Sequence, residues 1–360
     1  MKKIAILLVL IIFYASNTWA QKIEAQVKEE VELMSVLARL AGYEEYGVDY
    51  ARGYTADIDS VLGKFRSHEA VEMMKLFSEK YGLGYDRVMS IALQIECRGD
   101  NIVKLDTGKK SISPIGQKET HEFLSALNDF YRTSRFNDFF NTHTDIYELG
   151  LQVFNDSVMA HFDQEWYTRF YGTPPAEQFR IIIGFTNGPC NYGPSRKLTG
   201  QPKEVFAIMN YAVDDNERPI FYKKVVETVV HEFCHSFTKI KGDTEKALEK
   251  SGKALQEYTY FSMRRQAYST WRNILEESLV RAATICYLID HDYDEKDIRN
   301  AIIEQVDRNF FWMPELVQTL RYYESHRKKY PTFTSFYPEI IRFFDRYVAD
   351  VEKEIQKALK

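Results

Sequence analysis

The chain has 360 residues, 45% of them apolar and 14% aromatic, and carries a net charge of -5 at neutral pH. That length and apolar share suffice for one large domain or two packed lobes around a sizeable core. The charge balance holds no basic block, which excludes the electrostatic footprint of nucleic-acid recognition. The four cysteines, Cys97, Cys190, Cys234 and Cys286, are too widely and irregularly spaced for a CxxC-type metal cluster.

The N-terminus reads as a bacterial signal peptide over residues 1–20. Met1-Lys2-Lys3 supplies the positive start, residues 4–13 an apolar core, and Ala20 the small residue before the cut. The apolar run falls short of the roughly 20 residues of a spanning helix. Cleavage is expected after Ala20, leaving a secreted or periplasmic protein with no membrane span.

Helical spacing then predicts a helix over residues 24–43, with Val31, Leu33, Met34, Leu37 and Leu40 on its apolar positions. A second helix is expected over 69–80, ended by Gly82 and Gly84. Residues 85–96 fit helix or strand, and Arg98-Gly99-Asp100-Asn101 reads as a turn. Two long helices are expected over 120–140 and 145–171. Gly172 and the pair Pro174-Pro175 then mark a boundary between a helical N-terminal lobe, 21–175, and a second lobe, 176–360.

The texture changes after residue 178. Residues 179–185 and 204–211 are short β-rich runs, separated by the Gly/Pro/Asn segment 187–194, and read as a small sheet or hairpin. Helical patterns follow over 220–240, 246–265, 268–290, 295–309, 314–326 and 337–360. The expected fold class is α+β, mainly α-helical, with a small β-sheet beside the helix at 220–240.

That helix carries His231-Glu232-Phe233-Cys234-His235, an HExxH motif. Residues i and i+4 project from one helix face, so both imidazoles reach a single tetrahedral ion. The Glu beside the first His faces the water that the ion activates, and serves as general base and then general acid. With eight histidines in the chain, composition alone would produce the motif about one time in a hundred. The surround is apolar and uncharged, and residues 220–237 hold no Gly or Pro inside the helix that would carry it.

The third ligand is not a histidine, because Ser236-Phe237-Thr238-Lys239 does not continue the HExxHxxGxxH pattern. A later helix offers Glu276-Glu277 in an otherwise apolar setting. Here the chain resembles gluzincins, the thermolysin-like peptidases, in which a second helix supplies a glutamate ligand. The resemblance implies a zincin-like core within 176–360. It places Zn²⁺ on His231, His235 and Glu277, with Glu232 as the catalytic residue and Glu276 as the reserve ligand. Arg281, four residues after Glu277, departs from the gluzincin pattern, which has Asp there. Arg281 either forms a plain i,i+4 salt bridge with Glu277 or orients it as a ligand. By donor type, Mn²⁺, Fe²⁺ and Co²⁺ also suit the site.

Residues 31–37, Asn191-Tyr192-Gly193, the HExxH and Glu276–Ala282 together resemble an exported HExxH family common in Bacteroidetes and described as a domain of unknown function. The implied activity is hydrolysis of peptide or protein substrates. The competing reading is an exported helical binding protein for peptides or glycans with a vestigial or non-proteolytic metal site. Of the other candidates, 181–185 or 205–211 would form the sheet edge bordering the cleft. Tyr192 is either an oxyanion donor or a packing residue in a turn. His161, His291 and His326 read as ordinary surface or core histidines.

Overall fold

The apolar runs centred on Ile182 and Ala207 become the two inner strands of a four-stranded sheet. In the computed structural model, which describes residues 22–222 and 224–360, the strands are β1 (Ala25–Gln26), β2 (Ile95–Arg98), β3 (Asn101–Lys104), β4 (Gln178–Gly184), β5 (Ser195–Lys197) and β6 (Lys203–Asn210). The larger sheet has the order β1-β4-β6-β5, and β2 and β3 form a separate hairpin. The rest is predominantly α-helical. The expected signal peptide, 1–20, lies outside the described residues.

Strands β4 and β6 do not form a hairpin. They run parallel, in register from Gln178↔Glu204 to Gly184↔Asn210. Ile181, Ile182 and Ile183 in β4, like Val205 to Met209 in β6, are buried without alternation, and strands covered on both faces suit parallel pairing. The sheet edge is therefore neither of the two runs expected there. It is formed by β5, antiparallel to β6, and by Tyr192, whose N–H donates to Ile208 O (3.0 Å) while its carbonyl accepts from Ile208 N–H (2.8 Å).

Several expected helices are shorter than their apolar periodicity indicates. The run 120–140 breaks at Arg135, which has a positive φ of 55°, giving helices Gln117–Thr133 and Phe136–Thr142. The run 145–171 splits into Thr144–Ser157 and Trp166–Tyr171. At the start, 24–43 contains β1 before helix Glu29–Leu40. The last helix begins earlier than expected, at Phe333, where Thr332 and Ser335 form a capping box. Among the described residues, no helix is long and apolar enough to cross a membrane.

A buried carboxylate ties the N-terminal helices to the sheet. Glu32, on helix Glu29–Leu40, is fully buried. Its Oε1 accepts the Phe185 N–H at the end of β4 (2.8 Å), and its Oε2 accepts the Tyr54 hydroxyl (3.1 Å). Tyr54 in turn bonds the Tyr147 hydroxyl (2.7 Å). These bonds join four separate chain segments at one point. They also supply the donors that a buried carboxyl requires.

Burial raises the Glu32 pKa to about 7, against the opposing pull of its hydrogen bonds. The folded chain therefore holds this proton more tightly than the unfolded one. The resulting stability is full below the ordinary glutamate range and is lost as pH rises through about 7. Relative to Glu32→Gln, the wild type is expected to lose about 2–4 kcal/mol of unfolding free energy between about pH 4 and pH 8. Urea unfolding across that range checks this, and a pH-independent difference would contradict it.

Candidate metal centre

The HExxH segment lies on helix Val225–Cys234, with His235 at its C-cap still in helical conformation. The β-branched run Thr228-Val229-Val230 is a poor helix former by itself, so tertiary packing holds this helix. Val226, Val229, Val230, Phe233 and Cys234 are buried at helical spacing. Phe233 stacks on Phe179 of β4 (centroids 4.2 Å apart), and Phe237, just past the motif, stacks on Tyr171 (4.1 Å). The residues between and after the histidines anchor the helix from behind, and the histidines occupy its open face.

Helix Trp271–Asp290 packs against the motif helix and is started by the Thr270 side chain, which accepts the Asn273 N–H. Its position is set by close contacts on both sides. At Gly252 of the neighbouring helix Gly242–Tyr258, an added Cβ would lie 2.6 Å from the Trp271 ring. On the other side, Trp312 Nε1 donates to Ser278 Oγ (2.9 Å). The helix thereby brings Glu277, only 5% exposed, to the two histidines.

His231 Nε2 lies 3.3 Å from Glu277 Oε1, and His235 Nε2 lies 3.6 Å from Glu277 Oε2. One donor atom from each of the three residues falls within 4.8 Å of the others. An ion bonded at about 2.0–2.1 Å to tetrahedral ligands separates its ligand atoms by about 3.3–3.4 Å. The cluster therefore fits a divalent ion of this size, and His₂Glu is a donor set such ions accept. Among the described residues it is the one such group.

The protonation states suit this role. Burial lowers His231 to about 4 and also lowers His235, so both imidazoles are neutral with lone pairs available near pH 7. Burial alone would raise Glu277, but neighbouring charge, from the permanent Arg281 guanidinium and from either imidazole whenever it carries a proton, holds the carboxyl well below the usual carboxylate range. Burial, and then the Glu277 charge, push Glu232 up to about 8. A bound cation would draw Glu232 back down.

Glu277 Oε1 is held by two further groups. The Arg281 guanidinium pairs with it at 2.8 Å, and the Tyr268 hydroxyl donates to it at 3.0 Å. Arg281 also donates to Tyr268 Oη (3.0 Å) and to Gln305 Oε1 (2.5 Å), closing the arrangement. The i,i+4 bridge expected between Glu277 and Arg281 thus exists, but both side chains are nearly buried and it braces the cluster. Glu276 faces elsewhere: its carboxylate accepts the Ile240 N–H (2.9 Å) and pairs with Lys239.

The loop before β5 closes over Glu232. At Gly193 an added Cβ would lie 1.9 Å from Glu232 Oε2, so any larger residue would push the carboxylate out of this position. Tyr192 does not face the cluster as a donor. Its hydroxyl is spent on Asn187 O (3.3 Å), and its ring stacks on Tyr46. His291 pairs with Asp163, and His326 bonds Tyr322 O; neither joins the cluster, nor does His161. All four cysteines are free thiols, with Cys234 and Cys286 buried.

Tyr268 escapes sequence reading, because no spacing rule links a tyrosine in a connecting segment to a glutamate on the next helix. Groups that orient a ligand are typically worth about 10–100-fold in metal affinity. Tyr268→Phe is expected to weaken Zn²⁺ binding at the lower end of that range and Arg281→Met at the upper end. Competition with a chromophoric chelator measures both, and unchanged affinity in both variants would contradict the bracing role.

No match was found among curated proteins or among solved structures. The family described as Domain of unknown function (DUF4932) matches residues 23–343, and the chain belongs to that family.

Proposed function

We propose that this protein is an exported zinc-dependent metallopeptidase with a zincin-like catalytic half. The observation that carries the reading is the convergence of His231, His235 and Glu277 from two helices, with Glu232 beside them on the same helix face. Metal binding alone needs no Glu232, and no packing need accounts for a half-buried carboxylate set against Gly193.

His231 Nε2, His235 Nε2 and a Glu277 oxygen would hold the ion. Because Tyr268 and Arg281 already occupy Oε1, Oε2 is the freer of the two oxygens. A divalent cation held there supplies a Lewis acid that makes water acidic and polarises a peptide carbonyl. Glu232, which makes no hydrogen bond among the described residues, accepts the proton of the attacking water on its carboxylate and passes it to the leaving amine. Gly193 keeps that carboxylate in place from the loop side.

The same loop favours an extended substrate. Tyr192 N–H and C=O, together with Pro194 O, are bonded to β6. By the alternation of an antiparallel edge, Gly193 turns its own N–H and C=O outward. A peptide laid along this edge would pair with those groups and pass beside Glu232.

Glu232→Gln should lower turnover of a peptide library by about 10²–10⁴-fold while leaving zinc content unchanged. Gly193→Ala is expected to do the same more weakly, by displacing Glu232. Mass-spectrometric profiling of cleaved peptides beside metal analysis tests both. Cleavage that persists in metal-loaded Glu232→Gln would refute the mechanism, and a zinc-loaded wild type that cleaves nothing would refute the peptidase reading.

A further inference from the structure

Beside His231 and Glu232 opens a cavity of about 460 Å³ between the motif helix, helix Trp271–Asp290 and helix Glu295–Asp307. Part of its wall is apolar, from Ile285, Leu288 and Ala301. Away from the histidines it continues into a smaller cavity of about 180 Å³, and the two share Lys224, Glu227 and Ala301. Glu227 precedes His231 by four residues, so it stands on the same helix face about 6 Å farther along the axis.

The charges of these walls are unequally satisfied. Among the described residues every cation has a carboxylate partner: Lys224 and Arg308 share Glu304 (2.9 and 3.0 Å), and Arg281 pairs with Glu277 (2.8 Å). Among the described residues, the Glu227 side chain makes no ion pair or hydrogen bond, although it is half-buried. Asp297, in the smaller cavity, is likewise without an ion pair. Glu227 is thus a carboxylate without a direct partner among the described residues, with Lys224 acting on it only through space, and an apolar wall leads to it from the site of chemistry. An aliphatic stem ending in a cation matches that sequence of surfaces, as lysine and arginine side chains do. The four-carbon stem of lysine reaches about 6 Å, one helical turn.

Resting on the peptidase reading, we propose that this cavity is the specificity pocket, that it takes a lysine or arginine side chain flanking the scissile bond, and that Glu227 is the carboxylate that selects it. The ligand's ammonium or guanidinium sits against Glu227 while its stem covers Ile285, Leu288 and Ala301.

The test separates recognition from turnover. The zinc-reconstituted Glu232→Gln protein is titrated with fluorescein-labelled alanine-rich hexapeptides that differ only in one central residue: lysine, norleucine or glutamate. The lysine peptide should bind about tenfold more tightly than the norleucine peptide, the worth of one charge-assisted hydrogen bond, and the glutamate peptide most weakly. Adding Glu227→Gln should erase the lysine advantage and retain the norleucine affinity. Equal affinity for lysine and norleucine overturns the proposal without any Glu227 variant, as does no measurable binding of the lysine peptide. A lysine advantage that survives Glu227→Gln, with zinc content and melting temperature unchanged, also overturns it and leaves Glu227 a role only at the helix N-terminus. Selective binding without cleavage by the Glu232-bearing protein would sink the peptidase reading and uphold the pocket. Cleavage with no preference for a basic residue would do the reverse.

Discussion

A single buried carboxylate organises this protein. Glu277 lies almost fully inside the fold between two imidazoles, a guanidinium and a tyrosine hydroxyl. An ionised group in such a place is strongly unfavourable unless charge and hydrogen bonds surround it. Without an ion, Arg281 and Tyr268 meet only part of that demand, and they do so on one oxygen. The neutral imidazoles opposite offer lone pairs and no charge. Glu277 Oε2, which neither Arg281 nor Tyr268 bonds, faces the point where His231, His235 and Glu277 converge, and a divalent cation could be held there.

Much of the remaining structure keeps those groups in place. Aromatic stacking behind the motif helix fixes the histidines, and the close approach at Gly252 fixes the glutamate helix. The N-terminal helices act at one remove. Glu32 holds the end of β4 through Phe185, and at Gly188, with φ +73°, an added Cβ would lie 1.7 Å from Glu45 O. Those contacts seat the loop that runs to Gly193 and thus to Glu232. The N-terminal half therefore bears on the site by positioning the loop, and among its described residues no side chain joins the cluster.

The parts legible in the sequence were those governed by local rules. HExxH places two histidines and a glutamate on one helix face by periodicity alone, and the mainly helical character follows from apolar spacing. The pair Glu276-Glu277 stood out as charge in an apolar helix, and the resemblance to gluzincins singled out Glu277 from it. What escaped depends on contacts between distant segments. The parallel pairing of β4 and β6 is set by burial on both faces. The helix break at Arg135 requires a positive φ that no turn residue signals. Tyr268 reaches Glu277 only because the chain turns back just before the helix, after Ala267 with φ 66°. No local pattern marks Glu32 for burial, which is apparent only once the sheet covers it.

The most direct measurement is the metal content of the chain from Gln21 to Lys360, beside His235→Ala and Glu277→Ala. About one zinc per chain is expected in the wild type, with zinc lost in both variants and Glu276 unable to substitute. A wild type that takes up no divalent metal after reconstitution, or a Glu277→Ala variant that retains zinc, would contradict this.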